Sequence, residues 1–329
     1  MMAAGLMLVA WTVPSLAADS NQLPDLAPAQ PTAQVAQPPL EGDAACTHCH
    51  DQSETKPILA MYQTPHGVRA DKRTPTCQAC HGESKAHVAG ALDNAETRPR
   101  PDVIFGSKHT TAGYQPNDAK EQTGACLTCH KAGLRTHWSG SQHQAAGVVC
   151  ANCHTVHTRK DPMLTKTMQP EVCFTCHKEQ RAQTHQISTH PLDAGKMACS
   201  DCHNPHGSAG PKLLKKNTVN ETCFQCHAEK RGPFLWEHQP VNEDCTLCHT
   251  PHGSNITPLL KSRPPFLCDE CHDGPHNSQA PYGRGVAGIQ GGGTVVGGSP
   301  NSNATGRACM NCHVMVHGSN SPTGAFLHH

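Results

Sequence analysis

The 329-residue chain has little of what globular cores are built from. Aromatic residues make up 4% and charged residues 16%, and 20 of the residues behind its 36% hydrophobic content are cysteine. Its 26 Lys and Arg balance its 26 Asp and Glu, which excludes a polyanion-binding module held by net charge. The longest apolar run, Ala3 to Ala17, is interrupted by Pro14 and falls short of the ~20 residues of a membrane span. No apolar periodicity persists for three turns, so long amphipathic helices are excluded too. A chain of this length with so few core-forming side chains must stay loose or borrow a core. What it has in abundance is Gly (28), Pro (27), Cys (20) and His (26).

The apolar run reads as the core of a signal peptide, residues 1–17, and Ser15-Leu16-Ala17 places small residues where a signal peptidase reads. Cleavage after Ala17 or Ala18 is expected, and with it export, although no basic residue precedes the run. Residues 18–41 are rich in Pro, Ala and Gln and read as a flexible, partly polyproline tether. The remainder, 42–329, reads as one cytochrome domain, divisible into halves at about 42–190 and 191–329.

Every cysteine belongs to a Cys-x-x-Cys-His unit: Cys46/Cys49/His50, Cys77/Cys80/His81, Cys126/Cys129/His130, Cys150/Cys153/His154, Cys173/Cys176/His177, Cys199/Cys202/His203, Cys223/Cys226/His227, Cys245/Cys248/His249, Cys268/Cys271/His272 and Cys309/Cys312/His313. Disulfides or zinc ribbons would account for cysteine pairs. Neither accounts for the histidine, whose chance occurrence after all ten pairs has odds of roughly 10⁻¹¹, whereas covalent c-type haem attachment demands it. Two thiols three positions apart add across the two vinyl groups of one haem, and the adjoining imidazole ligates the iron. Ten such haems would supply the missing apolar interior, and their iron–histidine bonds would cross-link the chain. The expected fold class is therefore a multihaem cytochrome c, mostly coil with short helices, organised around a chain of ten haems. Helices are expected around Val172 to Arg181 and Thr222 to Arg231.

The odd-numbered motifs begin at Cys46, Cys126, Cys173, Cys223 and Cys268, at intervals of 80, 47, 50 and 45 residues, which divides the chain into five two-motif units. Free histidines recur in register with them. His66, His143, His190, His238 and His276 lie between the odd and the even motif, and His87, His157, His206, His252 and His317 follow the even one. These ten are the expected distal ligands, one per iron, and their pairing stays open at this point. A three-residue link reaches at most about 10–11 Å, too little to round a porphyrin, so His157, His206 and His252 are expected to serve neighbouring haems. His48, trapped inside the first motif, and the terminal His328 and His329 are set aside; His109, His137 and His185 fall outside the register and read as solvated or propionate-contacting. Methionines 61, 163, 168, 197 and 315 read as packing residues. The Gly-rich stretch Tyr282 to Arg307 reads as a surface loop.

If every iron carries two histidines, no substrate reaches iron and the protein is an electron carrier, not an enzyme, with no catalytic residue. A globule of this length is roughly 50 Å across, against about 40–45 Å for a bilayer with its headgroups, so such a wire can join the two sides of a membrane if something shields its polar surface from lipid. The runs CSDCHNPHGS from Cys199, CHAEKRGPFLWEH from Cys226, CHTPHGS from Cys248 and MNCHVMVHGSN from Met310 resemble the outer-membrane decahaem cytochromes of the MtrA/DmsE type, including relatives from iron-oxidising bacteria. That resemblance implies a periplasmic cytochrome inserted in a β-barrel porin of the outer membrane. It would exchange electrons with periplasmic carriers on one side and with an extracellular cytochrome, Fe(II) or a mineral on the other. It also implies bis-histidine ligation. The alternatives are a multihaem reductase, which usually carries one atypical motif, and a soluble periplasmic shuttle. Nucleic acid is not an expected partner.

Overall fold

The computed structural model describes residues 42–51, 53, 56–68, 73–90, 97–107, 113–272, 289–290, 293–294, 309–322, 324 and 327. The expected signal peptide and tether, His109, His276 and nearly all of the Gly-rich stretch lie outside them. The described residues all belong to one contact-defined unit, Pro39–His329.

Each Cys-x-x-Cys-His motif folds as a single helical turn. The amide of the second cysteine donates to the carbonyl of the first, as in Cys129 to Cys126 (3.2 Å) and Cys271 to Cys268 (3.2 Å), and the histidine amide donates to the same carbonyl, as in His154 to Cys150 (2.8 Å) and His203 to Cys199 (3.0 Å). Positions three and four apart share a helix face, so both thiols and the imidazole start on one side. Some of the turns begin on side-chain caps. Thr76 accepts from Ala79 N–H ahead of Cys77–His81, and Thr218 from Glu221 N–H ahead of Val219–Cys223. Inside two motifs the intervening residue caps backwards, with Asn152 accepting from Val149 N–H (2.8 Å) and Asp201 from Ala198 N–H (2.9 Å).

The helices expected around residues 172–181 and 222–231 are each broken. Gln169–Phe174 and Lys178–Thr184 flank His177, and Val219–Cys223 and Ala228–Lys230 flank His227. At these histidines the backbone leaves the helical region, with φ −85°, ψ 67° at His177 and φ −102°, ψ 48° at His227. The departure is in ψ, so the imidazole keeps its place beside the thiols while the chain beyond it is turned away.

Beyond these turns the fold is coil, as expected. Strand structure among the described residues amounts to one two-residue antiparallel pair, β1 (Ile289–Gln290) with β2 (Gly293–Thr294), and isolated bridges such as Ser188 with Ser254. The side chains supply no continuous core. The buried hydrophobics among the described residues are scattered, from Ala60, Met61 and Tyr62 near one end to Leu260, and only Met61 and Tyr62 form a cluster, with Leu59 against it. Asp43, Asn204, Asn220 and Ser319 are buried among them. No helix among the described residues is long and apolar enough to cross a membrane.

Candidate haem-binding site

The structure brings the motif histidines and the register histidines together two by two. His50 lies against His87, His66 against His130, His81 against His157, His143 against His177, His154 against His206, His190 against His227, His203 against His252, His238 against His272 and His249 against His317, with ring centroids 5.9–6.4 Å apart. Rings in van der Waals stacking sit closer than this. Two imidazoles on opposite faces of one metal ion, each with a metal–nitrogen bond of about 2.0–2.1 Å and about 1.1 Å from nitrogen to ring centre, lie about 6.2 Å apart. The residues therefore fit a six-coordinate haem iron. The described residues hold no group of three or more His, Cys, Asp or Glu suited to a metal ion, and the twenty cysteines stand as free thiols.

The partners follow a rule the sequence left open. The histidine between the motifs of one unit reaches the odd motif of the next: His66 to His130, His143 to His177, His190 to His227 and His238 to His272. The histidine after the even motif reaches the even motif of the preceding unit: His157 to His81, His206 to His154, His252 to His203 and His317 to His249. Every junction between units is thus crossed twice, in opposite directions. At the first unit, with no predecessor, His87 turns back to His50 of its own unit. His137 and His185 lie at the surface, apart from these pairs.

Backbone carbonyls orient many of the rings through Nδ1. Among the distal set, His87 bonds Pro99 O (2.8 Å), His143 Pro205 O (2.8 Å), His157 Ile58 O (3.0 Å), His190 Pro251 O (2.8 Å) and His238 Val316 O (2.9 Å). Such a bond fixes which nitrogen carries the proton and leaves Nε2 free to ligate. Burial pushes the imidazoles of His81, His203, His252 and His317 below the usual histidine range, which favours the neutral, ligating form.

The thiols are ordered as well. A hydrogen bond with Cys150, with burial, pushes the Cys126 thiol up, and a Cys199 bond and a Cys245 bond do the same for Cys173 and Cys223. Burial and then Cys309 push Cys268 up to about 11, and Cys46 hydrogen-bonds Cys77. So the first cysteines of the two motifs in every unit lie beside one another. Between units the second cysteines are neighbours: burial raises Cys80, Cys153, Cys202 and Cys248, and Cys129, Cys176, Cys226 and Cys271 add to it in turn. Neighbouring cysteines, paired within a unit and within electrostatic reach between units, therefore follow the ten motifs in sequence order.

Two of the expected haem-binding thiols, Cys49 and Cys312, stand apart from this pattern. Cys49 is the second cysteine of the first motif and Cys312 that of the last, and both are exposed. The sequence treats all twenty cysteines alike; the structure does not, because a second cysteine meets its counterpart only across a junction between units, and these two face no junction. Their part in haem attachment rests on their own motifs, where Cys49 N–H donates to Cys46 O (3.2 Å) and Cys312 N–H to Cys309 O (3.1 Å), as at the other motif turns. They are the two ends of the sulfur series. A thioether sulfur is two bonds from a porphyrin carbon, so groups carried on touching sulfurs are neighbours. Haem c bound here supplies reversible one-electron iron chemistry.

Comparison with known proteins agrees with this geometry. A family model described as a doubled CXXCH motif matches residues 190–232 and 238–277, and one described as cytochrome c-type protein NrfB-like matches 77–170. The chain is 42% identical over 295 residues, 87% of its length and 81% of the relative's, to the multiheme cytochrome MtrA of Shewanella baltica. The chain belongs to the MtrA family of multihaem cytochromes. It is also 37% identical over 129 residues to the cytochrome c-type protein NrfB of Haemophilus influenzae (35% of this chain, 52% of that one) and 28% identical over 147 residues to NrfB of Escherichia coli (42% and 67%). As a member of the MtrA family it is a multihaem electron-transfer cytochrome with covalently bound haem c.

Two parts of the site were not read from the sequence. One is Asp161, seven residues after a motif histidine, whose Oδ2 lies 2.6 Å from His154 Nδ1. The other is fully buried Asp43, which accepts from Cys77 N–H (2.7 Å) and from Tyr62 O–H (3.0 Å) and so ties the first motif to the second. An isolated acidic residue in a coil segment carries no periodic signal that would single it out.

Proposed function

We propose that the protein is a conduit that carries electrons across the outer membrane through ten bis-histidine haems, held within a β-barrel porin, for extracellular electron transfer. The observation that carries this reading is the nine His–His pairs at an iron-spanning separation, with the motif cysteines of successive motifs placed near one another along the chain. With both axial positions of each iron filled by protein, substrate has no place on the metal, and electron passage is what remains. By count, the motif histidine His313 and the register histidine His276 are the two that remain for the tenth iron. Attachment at the terminal pairs Cys46/Cys49 and Cys309/Cys312, the first and last motifs of the series, gives the chain of haems two ends to offer redox partners. The likeness to MtrA supports a porin partner, periplasmic electron carriers on one side and an extracellular cytochrome, Fe(II) or mineral on the other, with the protein exported to the periplasm and seated in the outer membrane.

Reconstitution with the porin in vesicles enclosing a redox dye tests it. Reductant or Fe(II) added outside changes the dye only when cytochrome and porin are both present, and the purified protein carries ten haems by mass and binds no carbon monoxide. A dye that stays unchanged in intact cytochrome–porin vesicles, or a haem that binds carbon monoxide and turns over nitrite, overturns the reading in favour of a shuttle or a reductase respectively.

A further inference from the structure

The even motifs of successive units present the same local frame. His203 N is bonded to Cys199 O, and its Nδ1 to the carbonyl of Lys212 nine residues on (3.0 Å); His249 repeats this with Cys245 O and, nine residues on, the carbonyl of Pro258 (2.9 Å). Each strand of chain then pairs back, Lys215 N–H to Cys202 O and Lys261 N–H to Cys248 O, both at 2.9 Å. At the even motif of the second unit the frame differs. The proton on His154 Nδ1 meets not a carbonyl but the carboxylate of Asp161, at 2.6 Å, where Gly210 and Ile256 stand at the matching positions of the other two units. Asp161 is held for this contact. Its other oxygen accepts from Met163 N–H (3.0 Å) as the cap of Pro162–Leu164, and its side chain is only 12% exposed.

The ring facing His154 is equally distinct. His206 stacks on it with an interplanar angle of 5°, and its own Nδ1 is buried without a hydrogen-bond partner, beside Trp138. One side of this pair is thus tied to a full negative charge and the other to nothing. A charge-assisted bond from Nδ1–H to a carboxylate moves electron density towards Nε2 and makes it a stronger donor. A stronger donor favours the more highly charged ferric iron, and burial keeps solvent from screening the effect.

We propose that Asp161 is a positioning residue that lowers the potential of the haem attached at Cys150 and Cys153 below that of its repeat equivalents at Cys199/Cys202 and Cys245/Cys248, placing a low-potential step within the conduit. This rests on His154 and His206 sharing one iron, as proposed above.

The test is a spectroelectrochemical titration of the holoprotein with three substitutions. In Asp161→Asn the anionic partner is removed, and in Asp161→Thr a hydroxyl still caps Met163 N–H while the carboxylate is gone. In both, about a tenth of the haem absorbance moves to more positive potential, the reduced-to-oxidised ratio of that haem rising about tenfold at fixed potential, which is about 59 mV for one electron. Glu229→Gln is the control: Glu229 stands 3.7 Å from His227 Nδ1, with both side chains more than half exposed, and its removal leaves the titration unchanged. The proposal falls if both Asp161 variants keep ten low-spin haems and titrate like the native protein, if Glu229→Gln shifts the curve equally, or if both Asp161 variants assemble with nine haems, which would make the carboxylate structural. Failure of the underlying ligation is separate, since it appears as a high-spin haem in the native protein.

Discussion

Asp43 shows how much a single polar side chain does where side chains build so little core. It is fully buried and accepts from Cys77 N–H and Tyr62 O–H, so the first turn, Ala44–Thr47, and the second, Cys77–His81, are held together by one carboxylate. Burial, ahead of the nearby Cys77 and Asp43, pushes the Tyr62 phenol far up, so it stays a donor. Asp43→Ala strands two buried donors at about 1–3 kcal/mol each and is expected to destabilise this end by about 2–4 kcal/mol. Tyr62→Phe removes one donor together with its need for a partner and is expected to cost about 1 kcal/mol. Thermal melts of the holoprotein followed by Soret circular dichroism check both, and equal effects would contradict the shared-carboxylate account.

At the scale of the element, the one-turn motif is legible in the sequence because haem attachment needs its residues contiguous. The extent of the flanking helices was not legible, since their breaks at His177 and His227 are set by where the chain must go after the motif. The His-Gly pairs are a second element whose role is decided by packing. A Cβ on Gly207, which has φ +113°, would meet the His137 carbonyl at 2.1 Å, and one on Gly253 would meet the Gln183 carbonyl at 1.9 Å. Each glycine lets the turn that carries a distal histidine press against the backbone of the preceding unit. Gly253→Ala should cost about 1–3 kcal/mol as overpacking and shift His252 from His203, so that one haem in ten turns high-spin and binds carbon monoxide. Gly124→Ala, where a Cβ meets nothing within 4 Å in the Ala119–Leu127 helix, should leave the spectrum native and add up to about 1 kcal/mol of stability.

At the scale of the molecule, the double crossing at every junction means, on the ligation proposed above, that units hold one another through iron rather than through a shared core. Lys215 and Lys216 are exposed, and a tryptic nick there cuts the chain between His190 and His227 and between His203 and His252. The nicked holoprotein should still migrate as one species in native electrophoresis and separate into two haem-staining fragments only under denaturing conditions. Fragments that part without denaturant would show that the crossed pairs bear no load.

The sequence by itself determined the cofactor class, and it pointed to ten attachment points and a set of distal histidines, because covalent attachment fixes residue type and spacing locally and the repeat carries the rest into register. It did not determine which distal histidine faces which motif, nor that Cys49 and Cys312 would differ from the other second cysteines by lying at the two ends of the series. His157 takes its orientation from the Ile58 carbonyl, 99 residues earlier in the chain, and its place opposite His81 depends on how two units dock. Nor did it single out Asp161, whose importance comes from a 2.6 Å approach to His154 that seven residues of coil leave open. The choice of partner and the charge behind a ligand are properties of distance in space, and only the tertiary structure sets those distances.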